Sequence, residues 1–284
     1  MRFLIVNAYP REGRSALDGA AATQPDVLYR RLLATVADDF ATDVLYAADT
    51  DAALPQGAAL QDYAGILWTG SSLTIHRDDD PRVRRQIEFV RDAFRVGVPS
   101  FGSCWAAQIA VTAAGGRCAA NPKGREFGIT APIELTAAGV SHPLYRDKPR
   151  RFVGLTSHAD EVVTLPPGAT LLASNDFSRV QAVAVEYAGG RFWAVQYHPE
   201  YDLHEVARLC VLRAEELVRQ GRFVDHDEAQ AYMDALERVH SGEATAVESA
   251  RLGADTPDIG LEWRVIELRN WFEGEVLPRL QAQA

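Results

Sequence analysis

The chain has 284 residues, 47% of them hydrophobic and 24% charged, which is the composition of a globular protein with a full core. Its net charge of −10 argues against a nucleic-acid binder, which needs a basic stripe to meet phosphates. Cys104, Cys118 and Cys210 make neither a CxxC pair nor an even-numbered framework, so a zinc site, a redox pair and a secreted disulfide scaffold all lack support. No apolar run approaches the roughly 18 residues of a membrane span, and the one at the N-terminus is too short for a signal peptide. These features lead to the expectation of a cytoplasmic protein with reduced thiols and no membrane contact.

In chain order, short β-branched runs at Phe3 to Asn7, Asp43 to Tyr46, Ala64 to Trp68 and Val98 to Phe101 predict strands. Helix-period segments at about residues 25–40 and 81–96 lie between them, the second opened by Asp80 as N-cap and Pro81 in the first turn. This rhythm predicts βαβ units: an open, mostly parallel sheet with helices on both faces. In such a sheet the site lies beyond the carboxyl ends of the strands. From about residue 125, Pro and Gly turns separate short strands near 127–135, 151–156, 161–165, 170–174, 180–187 and 191–197, and a helix near 201–219 follows. The expected domain thus spans 1–220. A C-terminal helical extension, 221–284, carries one apolar face through Ala229, Met233 and Leu236 and another through Leu261, Leu268 and Phe272. Helices this short need something to pack on: the main domain, a second copy of the chain or another protein.

Chemistry concentrates in two segments. In Val98-Pro99-Ser100-Phe101-Gly102-Ser103-Cys104-Trp105-Ala106-Ala107-Gln108, a strand ends in a tight turn and a helix follows, the layout of a nucleophile elbow. Such a turn demands small neighbours two residues either side of the nucleophile, and Gly102 and Ala106 provide them. The helix N-terminus beside Cys104 favours its thiolate. Further on, Phe192 to Tyr197 is an apolar strand that delivers His198, with Glu200 two positions later. A thiol needs a base at neutral pH, and a carboxylate can hold that base in one tautomer. Set against this, a cysteine at a strand–helix junction is commonly mere packing, and a lone His-Pro-Glu is commonly a turn.

Taken together, the segments resemble the class I (triad) glutamine amidotransferases, in the manner of a stand-alone GMP-synthase-type glutaminase domain. Gly102, Cys104 and Gln108 match that family's Gly-x-Cys-x-Gly-x-Gln elbow, with Ala106 in place of its second glycine, and His198-Pro199-Glu200 matches its His-Pro-Glu. Ile66 to Ser72 stands where the family has a Gly-Gly-Pro turn, and only Gly70 remains of it. Thr156-Ser157-His158-Ala159-Asp160 resembles its Ser-His-Gly-Asp loop. The resemblance covers about residues 1–220 and implies a flavodoxin-like sheet. It also implies a Cys104–His198–Glu200 triad and an oxyanion hole from the Gly70 and Trp105 amides. Gln108, His158, Ala159 and Asp160 would then lie around the substrate's amino-acid end.

The implied reaction is attack on the γ-amide of glutamine or another γ-glutamyl compound through a thioester, with no cofactor and no metal. No phosphate loop is visible, and the extension is too short for an ATP-using domain. Three readings follow: a glutaminase that feeds ammonia to a separate synthetase subunit, a stand-alone γ-glutamyl hydrolase or peptidase, or a non-catalytic binding member of the fold. His142 and the loop of His76, Arg77, Asp78, Asp79 and Asp80 read as structural. Cys118 and Cys210 read as inert, Lys123, Arg125 and Glu126 are left unassigned, and a homo-oligomer is open.

Overall fold

The computed structural model describes residues 1–77 and 79–283. Its first strand, β1 (Arg2–Asn7), has alternate side chains in two apolar layers: Leu4 and Val6 enter one, Phe3 and Ile5 the other. A strand buried on both faces belongs inside a sheet covered by helices on each side. The strands that follow are β2 (Ala41–Tyr46), β3 (Gly65–Trp68), β4 (Ser100–Ser103), β5 (Arg117–Ala120), β6 (Glu126–Ile129) and β7 (Ile133–Leu135). Then come β8 (Arg151–Phe152), β9 (Leu155–His158), β10 (Asp160–Thr164), β11 (Ala169–Ser174), β12 (Ala182–Tyr187) and β13 (Gly190–Val195). The main sheet runs β2-β1-β3-β4-β13-β12-β11-β7-β8, parallel from β2 through β13 and antiparallel beyond. Two small antiparallel pairs, β5 with β10 and β6 with β9, stand apart from it.

Helices α1 (Arg11–Gly19), α2 (Pro25–Leu33), α3 (Pro81–Val96), α4 (Trp105–Ala113), α5 (Ala137–Ser141) and α6 (Leu203–Arg219) belong to the first 220 residues. Helices α3 and α4 pack on the layer that holds Leu4 and Val6, and α2 packs on the opposite one. The fold is the open, mostly parallel α/β sheet expected. Asp80 caps α3 by accepting from the Arg82 N–H at 2.8 Å, and Gly97 ends it in the left-handed conformation at φ 72°.

Some local expectations differ. The helix expected to reach residue 40 stops at Leu33, because the Thr35 hydroxyl bonds the Leu32 carbonyl at 2.6 Å and tightens the chain into single turns. Helix α1 occupies part of the Ala-rich stretch expected to be a loop. The strand expected over 127–135 divides into β6 and β7, with Pro132 between them unable to donate to a ladder.

Beyond residue 220 the chain forms α7 (His226–Ser241), α8 (Ala246–Leu252), α9 (Leu261–Arg264), α10 (Ile266–Trp271), a π turn (Phe272–Val276) and α11 (Leu277–Gln283). These helices pack on the main body. Ala229, Met233 and Leu236 join the cluster formed by α6, and Leu268, Trp271, Phe272 and Val276 lie under the sheet with Phe3, Leu67 and Phe101. Trp271 fits because residue 65 is glycine: a Cβ there would stand 2.6 Å from the indole. A buried polar cluster fixes the same helix. Glu267 meets Lys148 at 3.0 Å and accepts from the Tyr197 hydroxyl at 2.6 Å, while Tyr197 also bonds Tyr145 at 2.9 Å. Among the described residues, no helix is long and apolar enough to cross a membrane.

Breaking a buried ion pair leaves one charge uncompensated. Glu267→Gln keeps the shape but removes the charge opposite Lys148. It is expected to lower stability by about 3 kcal/mol in urea denaturation, and an unchanged midpoint would contradict the anchoring role of this pair.

Candidate active site

Cys104 stands between β4 and α4 with φ 53° and ψ −100°, a conformation that costs a non-glycine residue roughly 1–3 kcal/mol. The turn is held by the Cys104 N–H, which donates to the Val195 carbonyl at 2.8 Å, and by the Cys104 carbonyl, which accepts the first helical bond from Ala107. Its neighbours have no spare room. A Cβ on Gly102 would collide with the Trp68 carbonyl and lie 2.5 Å from the Ala106 Cβ, so both positions must be small. The thiol therefore emerges at the carboxyl edge of the sheet, above the N-terminus of α4. As the first residue of that helix, Trp105 carries an N–H without an acceptor inside it.

Strand β13 runs beside β4 in parallel, so its carboxyl end delivers His198 next to the thiol. The imidazole is buried and stacks on Tyr201, with ring centroids 3.8 Å apart and planes 4° from parallel. Nδ1–H donates to Glu200 Oε1 at 2.7 Å, and Nε2 makes no hydrogen bond to a protein group. Burial pulls the imidazole's pKa down, but the Glu200 charge and the adjacent Cys104 outweigh it and raise the value to about 9. Glu200 Oε1 also accepts from the Ser103 hydroxyl at 2.7 Å, which in turn accepts from Tyr29 at 2.8 Å. Gly70 completes the group: a Cβ there would lie 3.0 Å from the His198 ring and 3.9 Å from the Cys104 Cβ.

A cavity of about 80 Å³ opens at Cys104 and is lined also by Gln108, Ser157, His158, Ala159 and Asp160. The Gln108 amide donates to the Asp160 carbonyl at 3.1 Å, tying the helix after Cys104 to the loop between β9 and β10. His158 has no free ring nitrogen: Nδ1 bonds the Asp160 carbonyl at 2.9 Å and Nε2 meets Glu126 at 2.8 Å. Its side chain braces the loop, and Glu126, also bound by Asn175 and Gln181, is the buried anchor. The Trp105 indole turns into the core, where it donates to Gln86 at 3.0 Å.

The remaining candidates fall outside the group. His142 accepts from the Leu144 N–H and packs edge-on against Trp193. His76 lies 3.5 Å from the Asp160 carboxylate, Asp78 is outside the described residues, and no cluster among the described residues could hold a metal ion. Burial pushes the Cys118 thiol up to about 12 and Cys210 up to about 11, so neither is reactive. Sequence reasoning missed Ser103, Tyr29 and Tyr201 around the histidine, and Arg213 at the cavity. Ser103 stands next to Cys104; the other three carry no local signal, because the fold alone brings them there. It missed too that Arg264 of α9 donates to the Pro199 carbonyl at 2.8 Å, so the C-terminal segment touches the His-Pro-Glu turn.

Comparison with known proteins agrees with this geometry. Residues 45–209 match the sequence profile of the family "Glutamine amidotransferase class-I". The gamma-glutamyl-L-1-hydroxyisopropylamide hydrolase of a Pseudomonas species is 31% identical over 283 residues, covering 98% of this chain and 94% of that protein. The glutamine-hydrolysing GMP synthase of Nitrosomonas eutropha is 33% identical over 201 residues, 69% of this chain, which spans only 35% of that enzyme's length. In fold, the chain is similar to a glutamine amidotransferase from Thermotoga maritima, with TM-score 0.65 at 16% identity over 97% of this chain and 98% of that one. It is also similar to one from Methylobacillus flagellatus, with TM-score 0.62 at 19% identity over 96% and 94%. The chain belongs to the class I glutamine amidotransferase family and is an amide hydrolase.

Proposed function

We propose that this chain is a self-sufficient hydrolase of γ-glutamyl amides, with Cys104 as nucleophile, His198 as acid and base, and Glu200 as the orienting carboxylate. The observation that carries the catalytic part is that neighbouring parallel strands bring Cys104 and His198 together, with Nδ1 of His198 committed to Glu200 and Nε2 left open. The self-sufficient part rests on the two-way coverage by a γ-glutamylamide hydrolase, 98% of this chain against 94% of that protein.

The Sγ proton of Cys104 passes to Nε2 of His198, and the sulfur attacks the γ-carbonyl carbon as the C=O electron pair moves onto oxygen. The Trp105 amide and the chain at Gly70 receive that charge. The tetrahedral intermediate collapses, the C–N bond breaks, and the leaving nitrogen takes its proton from His198. A γ-glutamyl thioester remains. Water gives a proton to His198 and attacks the thioester, the C–S bond breaks as that proton passes to the sulfur, and glutamate leaves. A second reading, ammonia delivery to a synthetase subunit, is favoured by the match to glutamine-hydrolysing GMP synthases over 69% of the chain.

Purified protein assayed for glutamate release is expected to turn over γ-glutamyl amides of small hydroxyalkylamines faster than glutamine, and Cys104→Ala to lose at least about four orders of magnitude. Weak release from glutamine alone would favour the second reading, and release that survives Cys104→Ala would exclude the mechanism. The pH profile gives a separate check. His198 holds its proton below about 9, so kcat/KM should fall as pH rises through that value and the leaving nitrogen loses its donor. Glu200→Gln removes a charge that holds the proton on His198, so the alkaline limb should move to lower pH. An unmoved limb would contradict the coupling.

A further inference from the structure

Two arginines that the proposed mechanism does not use face the cavity. Arg125 precedes β6 and Arg213 lies on α6, and both line the space beside Cys104 and Ser157. They share one carboxylate: Glu216 is 3.1 Å from Arg125 Nε and 3.8 Å from Arg213 Nη1. Two guanidinium charges against one carboxylate leave an excess positive charge, in side chains only 12% and 14% exposed. Burial lowers the Arg125 pKa, and the nearby Arg213 charge lowers it further. Like charges this close, half compensated and mostly out of water, call for an anion.

The hydrogen-bond inventory points the same way. Arg213 Nε has no partner, and neither does the hydroxyl of Ser157, a residue 6% exposed on the cavity wall. A buried donor left unmade costs free energy that a ligand can recover. Asp160, on the same cavity, supplies the opposite sign. A small space with a guanidinium pair, a free hydroxyl and a carboxylate suits a zwitterionic amino-acid end. A guanidinium meets a carboxylate through strong charge-assisted bonds.

We infer that Arg213, with the Ser157 hydroxyl, binds the α-carboxylate of the substrate's γ-glutamyl group and so selects γ-glutamyl compounds over amides that lack that carboxylate. The inference rests on the γ-glutamyl reading above. Arg125 holds Glu216 in place and carries the second positive charge.

The test is calorimetric, using full-length Cys104→Ala protein with L-glutamate and with 4-aminobutanoate, which has the same chain without the α-carboxylate. The parent should prefer L-glutamate. Arg213→Met should weaken L-glutamate roughly 10- to 100-fold and erase most of that preference, with Arg213→Lys recovering part of it. Ser157→Ala, a change too small to threaten folding, should weaken L-glutamate by several-fold. Equal affinity for the two ligands in the parent, or an unaltered preference in both Arg213→Met and Ser157→Ala, would overturn the assignment. Kinetics on the Cys104-containing protein separates this inference from the catalytic one. Glutamate binding through Arg213 without turnover of any γ-glutamyl amide would leave this site standing and exclude the hydrolase. Turnover with an unchanged KM in Arg213→Met would do the reverse.

Discussion

The strained backbone at Cys104 is the constraint on which the site depends. A non-glycine residue at φ 53° is held there because β4 must stop and α4 must start within one residue. That geometry forces Gly102 and Ala106 to be small, since side chains there would occupy the same space. It also turns the thiol out of the sheet and over the first turn of α4. The Val195 carbonyl, at the end of the neighbouring β13, accepts the Cys104 N–H and so ties the strained turn to the strand that carries His198. Strain and alignment are set by one contact.

Around this turn the protein keeps the histidine in one place from several sides. Glu200 holds Nδ1, Tyr201 stacks on the ring, and the His198 N–H donates to the Leu155 carbonyl at 2.7 Å. Behind Glu200, Ser103 and Tyr29 continue the chain of hydrogen bonds into the core. The C-terminal segment contributes at two further points, through Arg264 on the Pro199 carbonyl and Glu267 on Tyr197. Such a network limits the freedom of the imidazole, and pre-placed groups spare the reaction the entropy of assembling them.

Much of this was legible in sequence, for physical reasons that differ from place to place. The parallel half of the sheet showed because strands buried on both faces read as short unbroken apolar runs. Helix α3 showed because Asp80 and Pro81 mark its start and its apolar residues keep a helical period. Cys104 and His198 stood out because each lies in a local sequence motif. Tyr29, Tyr201 and Arg213 did not show. Each sits on a helix or turn with nothing unusual around it, and only the folded sheet brings it to the site. The packing of α10 was half legible: the apolar face of Leu268 and Phe272 was visible, but the surface it covers depends on the space above Gly65. Helix α2 ended early for a local reason, the Thr35 hydroxyl, that a periodicity argument does not weigh.

The central claim is that a γ-glutamyl group passes through a covalent bond to Cys104. Rapid acid quench of protein turning over a γ-glutamyl amide, followed by proteolysis and mass spectrometry, tests it directly. The account predicts a base-labile glutamyl adduct on the peptide containing Cys104. That adduct should accumulate when His198 is replaced by a residue unable to activate water but acylation is driven by an activated ester. An adduct on another residue, or steady turnover with no adduct on Cys104 under any quench, would contradict it.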